Sequence, residues 1–334
     1  MRIRIFLVFI ILSLTFVPAQ GKFNGYFSLS YIKGQNQTDF HQGSFQNAFF
    51  GLIFSGDVTE KIDYTAELRF EEDSFELEQL FVGFKPSALF SLKLGLYLVP
   101  FGRYNQFNRA HQTALVNSPL SVEKTFPLSW KDIGVLMEGR LGSFFYSAYL
   151  GNGLAEGENL SQSQQFKDNN ADKGKGGRVG IALSEHMAVA YSTYRGKYDE
   201  RNMRDLVLQG LDLTWSEESF EVLAEYSRAN LENPESFNEG RTEGYFIQVL
   251  FNADKLQPVL CYQWMKYKDP FHGSGFVGPD LQGEGVSEKK GRWTLGLRYL
   301  ISESGSLKFE YDFNREKGVN LKDDTFSIQV ALSF

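Results

Sequence analysis

The chain is poor in the residues on which most enzyme chemistry rests. It has one cysteine, Cys261, and four histidines, His41, His111, His186 and His272, in 334 residues. A single cysteine permits no internal disulfide and no multi-cysteine metal site. Packing of a small side chain within a strand is its expected role. The histidines fall in or beside connections, far apart in sequence, and none has metal-ligand spacing. No cofactor is indicated: the glycines between 174 and 177 lack the Lys-Ser/Thr of a phosphate cradle. No Ser/His pair has supporting context, although a triad can be assembled from distant strands. An excess of positive charge is also lacking. The formal net charge is −7, or −9 once Arg2 and Arg4 are removed, which disfavours nonspecific nucleic-acid binding. Finally, no segment beyond the N-terminus is a run of eighteen or more apolar residues, so no transmembrane helix is expected.

The first nineteen residues have a different character. Arg2 and Arg4 precede an apolar run from Ile5 to Phe16 that only Ser13 and Thr15 interrupt, and Val17-Pro18-Ala19 follows. This is the pattern of a secretory signal peptide over 1–19, cleaved after Ala19, with a single mature domain over 20–334. The run is too short to cross a bilayer as a helix, which takes about 20 residues.

What the chain has in abundance is aromatic residues, with 31 Phe, 16 Tyr and 4 Trp, and charges spread through the apolar segments. A barrel with an apolar outside and a polar lumen reconciles the two, because such strands alternate residue by residue. The alternation is present. Ile62, Tyr64, Ala66, Leu68 and Phe70 oppose Asp63, Thr65, Glu67 and Arg69. Leu307, Phe309, Tyr311 and Phe313 oppose Lys308, Glu310, Asp312 and Asn314. Sixteen strands are predicted, near 23–33, 45–56, 61–72, 75–85, 89–99, 131–141, 143–152, 176–184, 186–195, 205–216, 219–229, 241–252, 257–267, 291–301, 305–315 and 324–334. Fourteen or eighteen remain open at this point.

Every second connection is short and the others are mostly longer, except near Asp73. That asymmetry is expected of short periplasmic turns and long extracellular loops. The chain ends on a strictly alternating segment, Phe326 to Phe334, which resembles the C-terminal signal of bacterial outer-membrane barrels. The acidic residues Glu71, Glu72, Asp73, Glu76 and Glu78 read as a solvated rim rather than a calcium site. Tyr31, Phe54, Phe84, Trp215, Trp264, Tyr299, Phe313 and Phe334 lie near segment ends, as interface girdles require.

The longest link, Pro100 to Trp130, is expected to fold into the lumen as a constriction. It carries Arg103, Arg109, His111 and Lys124 against one acid, Glu123, and has enough apolar residues to pack on a wall. Leu92-Lys93-Leu94-Gly95 and Pro100-Phe101-Gly102, then Lys131-Asp132-Ile133-Gly134-Val135 ending at Gly139, resemble the phosphate-selective porins of the O and P type. The resemblance is sharpest from Leu92 to Gly139. It implies a homotrimer of sixteen-stranded barrels in the outer membrane among lipid and lipopolysaccharide, an inward-folded third loop, and basic side chains that guide anions.

Arg103, Arg109 and Lys124, with Lys93, Arg140, Arg178 and Arg298 on luminal strand faces, are the candidate solute-contacting residues; Arg69, Arg292 and Lys308 share those faces. Acids are interspersed: Asp63, Glu67, Glu138, Asp212, Glu221, Glu225, Glu310 and Asp312. Basic rings favour anions and acidic rings favour cations. The mixture leaves open a general pore or selectivity confined to the loop. The expected function is therefore passive passage of small hydrophilic solutes, with no catalysis. A barrel enzyme using one of the histidines and a plugged structural or adhesive barrel are the alternatives.

Overall fold

The structure, a computed structural model, describes residues 21–71, 74–87, 89–157, 160–233, 239–268, 289–318 and 320–334. The expected signal peptide, Glu72, Asp73 and the link holding His272 lie outside the described residues. The strands are β1 (Lys22–Gly34), β2 (Ser44–Thr59), β3 (Ile62–Phe70), β4 (Phe75–Ser87), β5 (Phe90–Leu98), β6 (Lys131–Leu141), β7 (Phe144–Gly151) and β8 (Gly174–Ala182). They continue as β9 (Met187–Lys197), β10 (Asp205–Ser216), β11 (Phe220–Leu231), β12 (Gly240–Phe251), β13 (Leu256–Lys268), β14 (Lys289–Ser302), β15 (Gly305–Glu316) and β16 (Thr325–Ser333). Each pairs antiparallel with its sequence neighbours, and β1 pairs with β16, so the sheet closes as a sixteen-stranded barrel. Closure leaves no unpaired strand edge, the condition for a sheet to lie in hydrocarbon.

The seam is tight. β1 and β16 run in register from Tyr26 opposite Ser333 to Gly34 opposite Thr325. The last residue is tied in as well: Gly25 N–H donates to the Phe334 carbonyl at 2.8 Å, and Phe334 N–H returns the bond at 2.9 Å. Phe334 stacks on Phe50, ring centroids 5.9 Å apart. A Cβ on Gly25 would meet the Phe334 ring at 2.3 Å, so glycine makes room for the terminal aromatic.

The two faces separate as the alternation predicts. On β15, Lys308, Glu310, Asp312 and Asn314 are buried inside the barrel. On β14, Trp293, Leu295, Tyr299 and Ile301 are exposed outside, while Thr294 is buried. A barrel with large apolar side chains exposed around its outside is built for lipid. Rings cluster at the turn from β10 to β11, with Trp215 on Phe220 at 4.9 Å, and also at mid-strand, with Tyr245 on Trp264 at 5.6 Å. The turns at 60–61, 142–143 and 303–304 are short; the loops at 35–43, 99–130 and 152–173 are long; and 71–74 is the short exception on the long side.

One expectation is corrected. The lumen is not polar throughout. The inner face of β10 to β13 carries Leu206, Leu208, Phe246, Leu250, Val259, Cys261 and Met265, all buried. They share one hydrophobic core with Phe101, Tyr104, Leu120, Val122 and Phe126 of the loop 99–130 and with Leu154 and Leu160 of the loop 152–173.

Candidate functional site

The loop 99–130, here L3, enters the barrel from the end of β5. Its neck is closed by Val99 N–H donating to the Trp130 carbonyl at 2.9 Å. Asn105, fully buried, staples this neck. Its Nδ2 donates to the carbonyls of Val99 and Trp130, both at 2.9 Å, and its Oδ1 accepts from Trp130 N–H at 2.8 Å. The loop then packs its aromatics on the inner wall. Phe101 contacts Phe126 at 5.0 Å, and Trp130 contacts Tyr194 of β9 at 5.1 Å. Tyr104 meets Phe246 of β12 edge-on at 6.1 Å. A short helix, α1 (Leu120–Thr125), buries Leu120 and Val122 against β11 to β13. The result is a hydrophobic core inside the barrel, between L3 and the inner faces of β7 to β13.

Luminal charges anchor the backbone of L3. Glu225 accepts the N–H groups of Arg103 and Tyr104 at 2.9 and 3.0 Å. This approach requires Gly102, whose φ is +65° and where a Cβ would lie 2.2 Å from Glu225 Oε1. Glu310 accepts Val116 N–H at 2.5 Å. Lys308 Nζ donates to the carbonyls of Ala110 and Leu115 at 2.6 and 3.2 Å. Gln263 Oε1 accepts Leu120 N–H at 2.8 Å. Asp312 accepts Asn117 Nδ2 at 3.0 Å. Thus Glu225, Lys308, Glu310 and Asp312, which the alternation places on luminal faces, are fasteners of the loop.

Two chambers border L3, and both are bounded by Tyr104 and Thr113. The first, about 450 Å³, lies between L3 and the β1 to β4 and β14 to β16 wall. Its cations are neutralised. Arg109 forms a two-bond pair with Glu67. Arg69 is held by Glu71, Glu76 and Glu78 between 2.8 and 3.2 Å, and Arg292 faces Asp312 at 3.7 Å. Burial works against the charge on Arg109, and the Glu67 carboxylate outweighs it, so its pKa is raised. His111, beside Tyr26 in the same loop, is pushed down to about 4 by burial, with Arg109 and Lys308 adding to the effect.

The second chamber, about 320 Å³, lies toward the short turn between β10 and β11. Arg103 and Arg298 both line it. The Arg103 guanidinium lies over the Phe107 ring at 3.7 Å. The Arg298 Nε is buried without a hydrogen-bond partner among the described residues. Neither has an acid at salt-bridge distance among the described residues. Burial pushes the Arg103 pKa down, and the nearby Arg178 charge lowers it further against Asp212.

The other expected residues are dispersed. Arg178 is paired with Asp212 at 2.6 Å and Lys93 with Glu138 at 2.6 Å. Lys124 lies on α1, 3.5 Å from Glu123. Arg140 is exposed and donates to the Gly142 carbonyl at 3.0 Å, at the turn end of β6. Of seven expected contacts, the structure brings Arg103 and Arg298 together. Asn105 and the apolar inner wall were missed. For the wall a signal existed: apolar residues on both faces, as in Leu206-Val207-Leu208 and Val259-Leu260-Cys261.

The expected solvated rim of acids is corrected at Glu78, which is buried; Lys131 Nζ lies 3.3 Å from it and 2.8 Å from Glu76. Among the described residues no group of three or more His, Cys, Asp and Glu is placed to hold a metal.

No family model matches the chain. An uncharacterized protein of Aquifex aeolicus (strain VF5) is 23% identical over 238 residues, which are 60% of this chain and 55% of that protein; the match thus spans about half the curated relative. Solved structures share the fold. Salmonella typhi OmpF in complex with daunomycin is 13% identical with a TM-score of 0.67, covering 94% of this chain and 97% of its own. The anion-selective porin from Comamonas acidovorans is 13% identical with a TM-score of 0.65, covering 94% and 99%. In-vitro folded OmpT of Vibrio cholerae, described as a trimer form, is 12% identical with a TM-score of 0.66, covering 94% and 99%. The chain therefore has the fold of these outer-membrane barrels, the porins among them.

Proposed function

We propose that the chain is a passive outer-membrane porin through which small hydrophilic solutes diffuse, with a preference for anions. The observation that carries this reading is the pair Arg103 and Arg298 in the second, inner chamber, neither at salt-bridge distance from an acid among the described residues although Glu221 shares the lining, beside a first chamber whose arginines are each matched by a carboxylate. Two arginines against the single acid Glu221 leave an excess of positive charge in this chamber, which favours anions. The reading involves no catalysis: the solute passes L3 at Tyr104 and Thr113 and leaves unchanged. Export by the N-terminal segment, cleaved after Ala19, and a homotrimer among lipopolysaccharide belong to the same reading. They rest on the charge pattern of residues 1–19 and on the resemblance over Leu92 to Gly139.

A ladder dedicated to phosphate is not favoured, because Lys93, Arg109 and Arg178 are already engaged by Glu138, Glu67 and Asp212. Planar-bilayer recording across a KCl gradient tests the proposal. Stepwise openings with a zero-current potential of the sign for chloride are expected, reduced toward zero in Arg103→Ala/Arg298→Ala. Cation selectivity in the wild type, or selectivity indifferent to both arginines, would overturn it.

A further inference from the structure

The inner chamber is amphipathic, and this narrows what binds there. Its charged lining is Arg103 and Arg298 with one acid, Glu221. Its other walls include Phe107, Leu115, Leu223 and Leu250, with Gln112 and Gln248 among the neutral polar groups. Phe107 is 40% exposed, and its face is the surface on which the Arg103 guanidinium rests. Leu223 and Ala114 pack against the interior hydrophobic core, so the apolar wall is backed by fixed side chains. The volume of about 320 Å³ falls at the lower end of small-molecule sites, which are mostly apolar with a few placed polar groups.

Inorganic phosphate or chloride would use only the arginines and leave the apolar wall wetted. A carboxylate carrying a ring or a branched aliphatic body uses both. Arginine presents a planar fork that fits a carboxylate, and Arg103 and Arg298 both line the chamber.

From this geometry we propose that the inner chamber is a binding subsite for small organic monocarboxylates with an apolar body, the carboxylate on Arg103 and Arg298 and the body on Phe107 and Leu223. The proposal rests on the channel reading above and names the solute class for which the pore is shaped. Displacement of water from apolar surface by such a body favours it over phosphate; a gain of about 1.4 kcal/mol, tenfold in affinity, corresponds to roughly 55 Å² of apolar area removed from water.

Single-channel KCl current is recorded while benzoate, cyclohexanecarboxylate or inorganic phosphate is titrated in. Half-block is expected at a benzoate concentration about tenfold below that of phosphate. Leu223→Ser and Phe107→Ser are expected to raise the benzoate value toward that of phosphate. Arg298→Gln is expected to raise both, with folding of each variant checked by heat-modifiable mobility on gels. Equal block by phosphate and benzoate, or benzoate block unchanged in Leu223→Ser and Phe107→Ser, would overturn the subsite. If the barrel conducts no KCl, the channel reading fails separately. Equilibrium dialysis of labelled benzoate against the refolded barrel and against Arg298→Gln then decides the subsite: retention lost in the variant supports it, and no retention overturns it.

Discussion

Glu67 and Arg109 illustrate how a luminal charge works here. The Glu67 side chain is fully buried and that of Arg109 is 12% exposed, so neither is solvated if the other is lost. Gln79 Nε2 and Tyr26 Oη also donate to Glu67, at 2.8 and 3.2 Å. Removing one partner of a buried pair costs about 3–5 kcal/mol, because a charge is left uncompensated. Glu67→Ala is therefore expected to lower the urea midpoint of unfolding and to raise current noise as L3 loosens. Glu67→Ala/Arg109→Met should recover most of the midpoint. A single variant as stable as the wild type would show that the pair does not hold the loop.

His111 makes a pH effect at the same scale. It is faced by Tyr26, Glu67, Arg109, Arg298 and Lys308, and is lowered to about 4. Its folded value lies below the unfolded one, so the seated loop loses nothing above about pH 6.5. It weakens progressively as pH falls toward 4, and no further below that. Closure events or proteolytic clipping of L3 should rise between pH 6.5 and 4, and His111→Gln should flatten that rise. A wild type indifferent to pH in this window would contradict it.

At the scale of elements, L3 behaves as a small folded unit with its own staple. Asn105→Leu leaves the Trp130 N–H without its acceptor and removes two donors from neck carbonyls. A buried unsatisfied group costs roughly 1–3 kcal/mol. The expected consequence is a looser loop, measured as faster deuterium exchange across 99–130 with the strands unchanged.

The strands themselves were legible because each has a lipid face, and a one-residue slip would place Lys308, Glu310 and Asp312 in hydrocarbon. Sixteen pairs of boundaries agree to within a few residues for that reason, Lys131–Leu141 and Asp205–Ser216 exactly as drawn from the alternation. L3 was legible from its length and its Phe-rich composition. What stayed hidden is set by register across strands. Nothing local says that Arg178 meets Asp212 from β10, or that Glu225 turns to the L3 backbone rather than to water. Alternation assigns a residue to the lumen, but only the fold assigns its partner there.

For the whole molecule, two surfaces have opposite tasks. The outside is an apolar belt with rings toward its edges, closed by β1 on β16 and finished by Phe334. Inside, L3 packs a hydrophobic core against the wall and leaves chambers beside it, one of them reaching β10 to β12. The net charge of −7 does not describe the passage, because most luminal acids are spent on arginines or on the L3 backbone. On the proposed reading, selectivity follows the groups without an ion-pair partner, Arg103, Arg298 and Glu221 in the second chamber, rather than the sum of all charges.

The zero-current potential of reconstituted channels in a KCl gradient tests this most directly, measured for the wild type and for Arg103→Ala/Arg298→Ala. Anion selectivity that collapses in the double variant is the expected result. Channels that favour potassium, or that keep their anion preference without both arginines, would contradict it.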